Sequence, residues 1–184
     1  AIDGVINVAG IIQPFVRINE LDYASIEHVM NVNFYGVVYM TKTFLPELLM
    51  RPEAHIVNVS SMGAYAPVPG QSIYGASKAA VKLMTEGLYA ELLDTKVGVT
   101  LVFPGATATN IASNSGITMD APADTSSFKM TAPTETARLI IDGIESNRYH
   151  VFSGSDARMV DKLSRYMPNR VVKIIYKQMK SLLK

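Results

Sequence analysis

The alternation of strand-like and helix-like segments along the 184-residue chain constrains its fold more than any other feature of the sequence. Short apolar runs, most of them rich in β-branched residues, occur at residues 2–8, 55–60, 97–103 and 149–153, and longer segments of helical periodicity separate them. A helix between two strands returns the chain to the same end of a sheet, so successive strands become parallel. The sequence therefore predicts an α/β domain with a mainly parallel sheet, and not a helical bundle or a sandwich.

The helical segments are predicted from apolar residues at helical intervals and from residues that begin or end helices. They cover residues 21–50, 74–93, 131–146 and 156–184. Pro46 is expected to kink the end of the first helix. Thr131 is the predicted N-cap of the third helix, with Pro133 in its first turn. Pro168 and Asn169 are expected to divide the C-terminal helical tail into two pieces.

The amino-acid composition excludes several classes of function. The chain is 48% hydrophobic, which is enough for one core, and residues 1–184 are interpreted as a single domain. Its 17 basic and 16 acidic residues give a net charge of +1, so no overall field attracts nucleic acid. It has no cysteine, and its three histidines are scattered without metal-ligand spacing, so no metal site is predicted. No apolar stretch approaches the length of a membrane span, and a cytoplasmic protein is expected.

The chain between the third strand and the third helix has little periodicity, and residues 106–131 are predicted to form a substrate loop or lid. Apolar side chains in this segment and in the loop before Tyr74 favour an apolar or mixed alcohol or ketone as substrate, although core packing explains them nearly as well. These side chains are Met62, Tyr65, Val68, Pro69, Met119, Phe128 and Met130.

Tyr74 and Lys78 are the pair of residues best suited to catalysis. They are four residues apart at the start of a predicted helix, so both side chains lie on one helix face. A nearby cation favours the phenolate of a tyrosine, which makes such a pair suitable for general acid–base catalysis. Tyr176 and Lys180 have the same spacing, so spacing alone does not identify a site. Ser61, at the end of a predicted strand thirteen residues before Tyr74, distinguishes the first pair.

Asn33 is a polar residue within an otherwise apolar helical stretch. Taken alone, it is explained best as a helix residue that bonds a neighbouring backbone group. Its interpretation changes only with the motifs around it.

Five short motifs occur in an order and at intervals that resemble the short-chain dehydrogenase/reductase family. They are Asn7-Val8-Ala9-Gly10, Asn33, Ser60-Ser61, Tyr74-Gly75-Ala76-Ser77-Lys78 and Pro104-Gly105-Ala106-Thr107-Ala108-Thr109. The resemblance is strong over about residues 1–112 and looser beyond them. It implies a Rossmann-like doubly wound parallel sheet, NAD or NADP as cofactor, and hydride transfer between the nicotinamide and an alcohol or ketone.

The resemblance also implies roles for individual residues. Ser61 would hydrogen-bond the substrate oxygen, Tyr74 would give or take its proton, and Lys78 would bind the ribose hydroxyls. Asn33 would hold a water that links Lys78 to solvent, which completes the catalytic set. The residues expected to contact the cofactor are Asn7, Ala9, Gly10, Tyr74, Lys78, Pro104, Gly105, Thr107 and Thr109.

Two departures from the family pattern are visible. Val8 stands where the family usually has a second Asn, which removes a hydrogen bond expected to steady neighbouring strands. The Gly-rich phosphate-binding turn of the first strand-helix unit does not occur, so about 80 to 90 residues, at roughly 30 per unit, are expected to precede residue 1. The sequence thus indicates a fragment, a partial Rossmann-type domain whose strand at residues 2–8 is an exposed sheet edge. A truncated, inactive structural or regulatory relative is the alternative.

Two further expectations concern partners. Members of the family usually form homo-oligomers through two long helices. The resemblance therefore implies a homodimer or homotetramer formed through the helices at residues 22–50 and 74–93. The tail at residues 170–184 alternates apolar residues with lysines, a pattern that can lie on a membrane surface. Packing of its apolar stripe on the tail's own domain or subunit is the favoured interpretation.

Overall fold

A computed structural model describes residues 2–66, 68–117 and 130–183 of the chain. Its centre is a four-stranded sheet in the order β1-β2-β3-β4, and all three neighbouring pairs are parallel. The strands are β1 Gly4–Asn7, β2 Ala54–Val59, β3 Val97–Pro104 and β4 His150–Ser153. This confirms the predicted α/β class and the Rossmann-like parallel sheet.

The two central strands are buried on both faces, as the β-branched runs predict. Ile56 and Val57 of β2 have no exposed surface, although they point to opposite faces because side chains alternate along a strand. Ile56 packs with Leu48 and Leu88, whereas Val57 packs with Ile140. The sheet therefore separates two apolar layers, each covered by helices.

The helices are α1 Tyr23–Met30, α2 Gly36–Leu49, α3 Ser72–Glu91, α4 Ile111–Asn114, α5 Pro133–Glu145, α6 Ser155–Tyr166 and α7 Pro168–Met179. A π-helical turn, Asn31–Tyr35, joins α1 to α2, and short 3₁₀ turns occur at Met62–Ala64 and Lys180–Leu182. Helices α2 and α3 cover one face of the sheet, and α5 covers the other. In the part of the chain that the structure describes, no helix combines the length and hydrophobicity that crossing a bilayer requires.

The first predicted helix, residues 21–50, is interrupted where the sequence shows no interruption. The π-helical turn inserts one extra residue into the hydrogen-bonding pattern at Asn31–Tyr35, a change that apolar spacing does not reveal. Pro46 lies inside α2, whose helical assignment continues to Leu49, so the helix does not end at the proline.

Thr131 is not the N-cap of α5, contrary to the sequence prediction. Ala132 occupies that position without a side-chain bond, and Pro133 is the first helical residue. The backbone of Thr131 instead forms a parallel bridge with Thr107. The amide of Thr131 donates to the carbonyl of Ala106 over 2.8 Å, and the amide of Ala108 donates to the carbonyl of Thr131 over 3.0 Å. This pairing holds the backbone of Thr131 in a bridge two residues before the first residue of the helix.

The C-terminal tail consists of two helices, as predicted, with the break between Tyr166 and Pro168. Val171 and Ile175 of α7 are buried against Val160 of α6 and against Ala66. The inner stripe of α7 therefore packs on its own domain.

Candidate active site

A cavity of about 510 Å³ opens at the carboxyl ends of the first three strands. Parallel strands end at the same edge of a sheet, and the loops that follow them converge there. Eight of the residues singled out in the sequence line this cavity: Gly10, Ser61, Tyr74, Lys78, Pro104, Gly105, Thr107 and Thr109. Asn7, Ala9 and Asn33 do not form its wall.

Ser61 and Tyr74 meet at one side of the cavity. Ser61 lies two residues after the end of β2 in an extended conformation, and its Oγ accepts a hydrogen bond of 3.0 Å from the amide of Gly63. A Cβ on Gly63 would lie 3.4 Å from both Ser61 Oγ and Tyr74 Cε1, so the glycine lets the ring approach the serine. Burial raises the pKa of Tyr74, and its hydrogen bond with Ser61 lowers that pKa in part.

Lys78 is almost completely buried, with 3% of its surface exposed. Its Nζ donates to the carbonyl of Val59 over 3.0 Å, the one acceptor that the described residues provide. Burial lowers the pKa of Lys78 to about 8. An ammonium carries three donors, so two N–H groups are available to a ligand. A Cβ on Gly10 would lie 3.1 Å from Nζ, and the glycine therefore keeps the amine open to the cavity.

Asn33 is fully buried in the π-helical turn and joins three parts of the chain. Its Oδ1 accepts from the amide of Ile11 over 2.8 Å, and its Nδ2 donates to the carbonyl of Ile11 over 2.9 Å and to Ser77 Oγ over 3.0 Å. The extra residue of the π turn presents the amide to the loop after β1 and to α3 at once. A Cβ on Gly10 would lie 3.5 Å from Asn33 Oδ1 and 3.1 Å from Lys78 Nζ, so both atoms face the same small gap beside Gly10.

Asn7 lies beneath the cavity floor rather than in it. Its Nδ2 donates to Asn58 Oδ1 over 2.8 Å, Asn58 Nδ2 donates to Thr85 Oγ1 over 2.9 Å, and Thr85 donates to the carbonyl of Val81 over 2.7 Å. This buried chain of bonds ties β1 to β2 and β2 to α3. Sequence reasoning missed Asn58, although a polar residue within a β-branched run indicates such a bond.

Gln13 is a second residue that sequence reasoning missed. It is 1% exposed, and its Oε1 accepts from the amides of Ile73 and Tyr74 over 2.8 and 3.0 Å. Helix α3 has no side-chain cap from Gln71, the residue before it, so a loop residue sixty positions away satisfies its first amides. Nothing in the local sequence indicates this contact.

The opposite side of the cavity comes from the end of β3 and from α5. Thr107 Oγ1 donates to the carbonyl of Gly105 over 3.1 Å, and the amide of Ala106 donates to Asp156 Oδ2 over 2.8 Å. Thr109 is exposed at the rim. Apolar side chains complete the wall: Ile6, Val8, Ile140 and Ile141.

Three of the residues predicted to line a substrate pocket belong to a buried core instead. Met62, Tyr65 and Val68 pack with the buried cluster of α6 and α7, so core packing accounts for them. Met130 is about half exposed. Met119 and Phe128 lie outside the described residues, as do residues 118–129 of the predicted lid.

The chain is similar in sequence and in fold to known proteins. The family model described as short chain dehydrogenase matches residues 1–120. The protein named SadH in Mycobacterium tuberculosis is 34% identical over 167 residues, which cover 86% of this chain and 60% of that protein. The chain thus spans less than two thirds of this relative's length.

Solved structures with similar folds include dinucleotide complexes. A short chain dehydrogenase from Burkholderia cenocepacia in complex with NADP superposes with a TM-score of 0.77 at 27% identity, covering 94% of this chain and 68% of that one. A short chain dehydrogenase/reductase from Burkholderia phymatum in complex with NAD superposes with a TM-score of 0.69 at 25% identity, covering 88% and 63%.

Proposed function

The chain belongs to the short-chain dehydrogenase family, and from this premise we propose that it serves as an NAD(P)-dependent oxidoreductase that interconverts an alcohol and a ketone. One observation carries the proposal: Ser61, Tyr74 and Lys78 converge on a single cavity where parallel strands end. The pocket combines a hydroxyl, a phenol and a buried amine with an apolar wall, which suits a substrate that has one polar oxygen.

The residues around the cavity fit a dinucleotide. Gly10 leaves the backbone and Lys78 Nζ open, and Lys78 has unused donors for the two hydroxyls of a ribose. Thr107 and Thr109 supply hydroxyls on the far side, beside the turn at Pro104 and Gly105. Asn7 ties β1, the strand that precedes Gly10, to β2 through Asn58. The nicotinamide of a bound dinucleotide would exchange hydride with the substrate carbon. Both NAD and NADP are compatible with these contacts.

Ser61 and Tyr74 handle the substrate oxygen in this mechanism. Ser61 and Tyr74 are hydrogen-bonded to each other and both line the cavity, so a substrate oxygen placed between them would accept a hydrogen bond from each. Because burial raises the pKa of Tyr74, its phenol stays protonated and is ready to donate to a ketone oxygen. The positive charges of Lys78 and of an oxidised dinucleotide favour the phenolate that the reverse direction requires.

Lys78 and Asn33 support proton movement. The pKa of Lys78 near 8 allows its amine to gain or lose a proton close to neutral pH. Since Asn33 Oδ1 and Lys78 Nζ border one gap at Gly10, an ordered water there would connect the amine to solvent. Asn33 therefore orders the relay, and Tyr74 remains the group that exchanges a proton with the substrate.

Turnover measurements test the proposal. The full gene product is incubated with NAD⁺ or NADP⁺ and secondary alcohols of increasing apolar size, and reduced nicotinamide is followed by absorbance. We expect turnover with at least one dinucleotide and a preference for apolar substituents. If no alcohol or ketone reacts, and neither dinucleotide shifts the melting temperature, the inactive structural or regulatory alternative replaces the proposal.

For partners, a homodimer or homotetramer is proposed. Tyr39 on α2 is 63% exposed and Leu83 on α3 is 70% exposed, which leaves apolar side chains on the outer faces of these helices. Light scattering coupled to gel filtration measures the mass in solution. A monomer at micromolar concentration contradicts this part of the proposal.

A further inference from the structure

We propose that Asp156, which follows β4 and lies outside the segment that the family model matches, is a positioning residue for the cofactor side of the cavity. The inference rests on the proposed function, because it assigns Asp156 the task of shaping the turn at residues 105–107 for a dinucleotide.

The first observation is a hydrogen bond that bridges distant parts of the chain. The amide of Ala106 donates to Asp156 Oδ2 over 2.8 Å, although the two residues are fifty positions apart. A carboxylate that accepts from a backbone amide forms a stronger bond than a neutral acceptor does. The bond holds Ala106, which lies between two residues of the cavity wall, Gly105 and Thr107.

The second observation is the space that two glycines leave for this carboxylate. A Cβ on Gly105 would collide with Asp156 Oδ1 and Oδ2, and a Cβ on Gly154 would collide with Oδ1. Gly154 also has a φ of 95°, a conformation that other residues rarely adopt. Both glycines thus make room for a carboxylate that lies directly against the turn.

The third observation is that the turn is held from two sides. Gly105 donates its amide to the carbonyl of Ser153 over 2.8 Å, and the carbonyl of Ala106 accepts from Thr131. With Asp156 on the amide of Ala106, both polar backbone groups of that residue are fixed. The backbone just before Thr107 is therefore held in one conformation. This fixes where the turn, and with it Thr107, meets the cavity.

The experiment compares Asp156→Asn and Asp156→Ala with Asp142→Asn as a matched control. Asp142 pairs with Arg138 on the surface of α5 and does not line the cavity. Dinucleotide affinity is measured by titration, and amide exchange at Ala106 is measured in the full gene product by mass spectrometry at single-residue resolution. We expect Asp156→Ala to weaken affinity about tenfold and to expose the Ala106 amide, because one charge-assisted bond is lost.

Two comparisons between variants distinguish a positioning role of Asp156 from a general contribution to protein stability. Asp156→Asn keeps an oxygen that can accept from Ala106, so it should recover most of the affinity, and Asp142→Asn should leave it unchanged. Gly105→Ala should weaken binding strongly in the wild-type background and much less in combination with Asp156→Ala, since the colliding carboxylate is then gone.

The outcomes distinguish the two proposals. If the wild type binds neither dinucleotide, the proposed function fails, and the cofactor role of Asp156 fails with it. If the wild type binds but Asp156→Ala binds equally well, or Gly105→Ala is equally harmful in both backgrounds, Asp156 does not position the turn and the proposed function stands.

Discussion

Two tyrosine–lysine pairs with the same spacing occupy very different surroundings in this molecule. Tyr74 and Lys78 lie on α3, where the lysine is 3% exposed and the tyrosine contacts Ser61. Tyr176 lies on α7 and is 53% exposed, and Lys180 follows it on the surface. The same four-residue interval therefore yields a cavity pair in one helix and a solvated pair in the other.

The comparison teaches that burial, and not spacing, gives the first pair its chemical properties. Removal from water raises the pKa of Tyr74 and lowers that of Lys78 to about 8. Both shifts oppose charge: the Tyr74 phenol stays neutral to higher pH than a free tyrosine, and the Lys78 amine becomes neutral at lower pH than a free lysine. Each prediction below changes a residue in or beside the cavity and compares the result with a position on the tail.

Tyr74→Phe is expected to produce the largest difference. Removing the phenolic hydroxyl should lower kcat at least about a hundredfold, the usual contribution of a positioned acid or base, with little change in KM for the dinucleotide. Tyr176→Phe should leave kcat within about twofold. Steady-state kinetics measure kcat for both variants. Equal losses of kcat would contradict the assignment of catalysis to Tyr74 rather than Tyr176.

Lys78→Met should increase stability while it weakens function. The pKa of lysine is 10.5 in the unfolded chain and about 8 in folded Lys78, so the cost of burying its charge is present in full below pH 8. This cost disappears as pH rises from 8 to 10.5. At pH 7 the variant should gain up to about 3 kcal/mol in unfolding free energy, and the gain should shrink across that range.

Lys180→Met is the control for this measurement. Its side chain is exposed, so we expect a change of about 0.5 kcal/mol or less at either pH. Urea unfolding at pH 7 and pH 10 gives both numbers. A pH-independent loss of stability in Lys78→Met would contradict the desolvation account.

Gln13→Leu tests the support of the helix that carries Tyr74. The change leaves the amides of Ile73 and Tyr74 without an acceptor inside the protein, which should cost about 2 kcal/mol. Helix α7 has no side-chain cap among the described residues, so Asn169→Ala in its first turn should cost about 0.5 kcal/mol or less. Chemical unfolding compares the two helix starts, and equal costs would mean that Gln13 does not cap α3.

Ser61→Ala is expected to have the smallest effect of the four. Its hydrogen bond lowers the pKa of Tyr74, so the variant should titrate at higher pH than the wild type. Carbon-13 labelling of the tyrosine ring allows each phenol to be followed by NMR, with the Tyr176 signal as an internal reference. A downward shift, or no shift, contradicts the contact between Ser61 and Tyr74.

Much of this architecture could be predicted because it depends on local pattern. The β-branched runs identified all four strands, and the order of the motifs identified the residues that converge on the cavity. Thr131 was assigned wrongly because a threonine before Pro133 is typical of a helix start, whereas its backbone pairs with a distant segment.

The remaining features depend on contacts that local pattern does not encode. Gln13 bonds the amide of Tyr74 across sixty-one positions and Asp156 bonds the amide of Ala106 across fifty, and neither Gln13 nor Asp156 stands in a motif. The π-helical turn at Asn31–Tyr35 changes hydrogen bonding by one residue without changing which side chains are apolar. Met62 and Tyr65 are apolar in either role, and only the position of the tail shows that they belong to a core.

The bridge between Thr107 and Thr131 has a consequence for how such a protein can diversify. It fastens the two ends of the intervening sequence beside the cavity, and the entropy of closing a loop grows only slowly with its length. A change of length between the two threonines therefore adds only slowly to the entropic cost of closing this segment. Under the proposed function, such changes would alter residues beside the cavity while Ser61, Tyr74 and Lys78 keep their places.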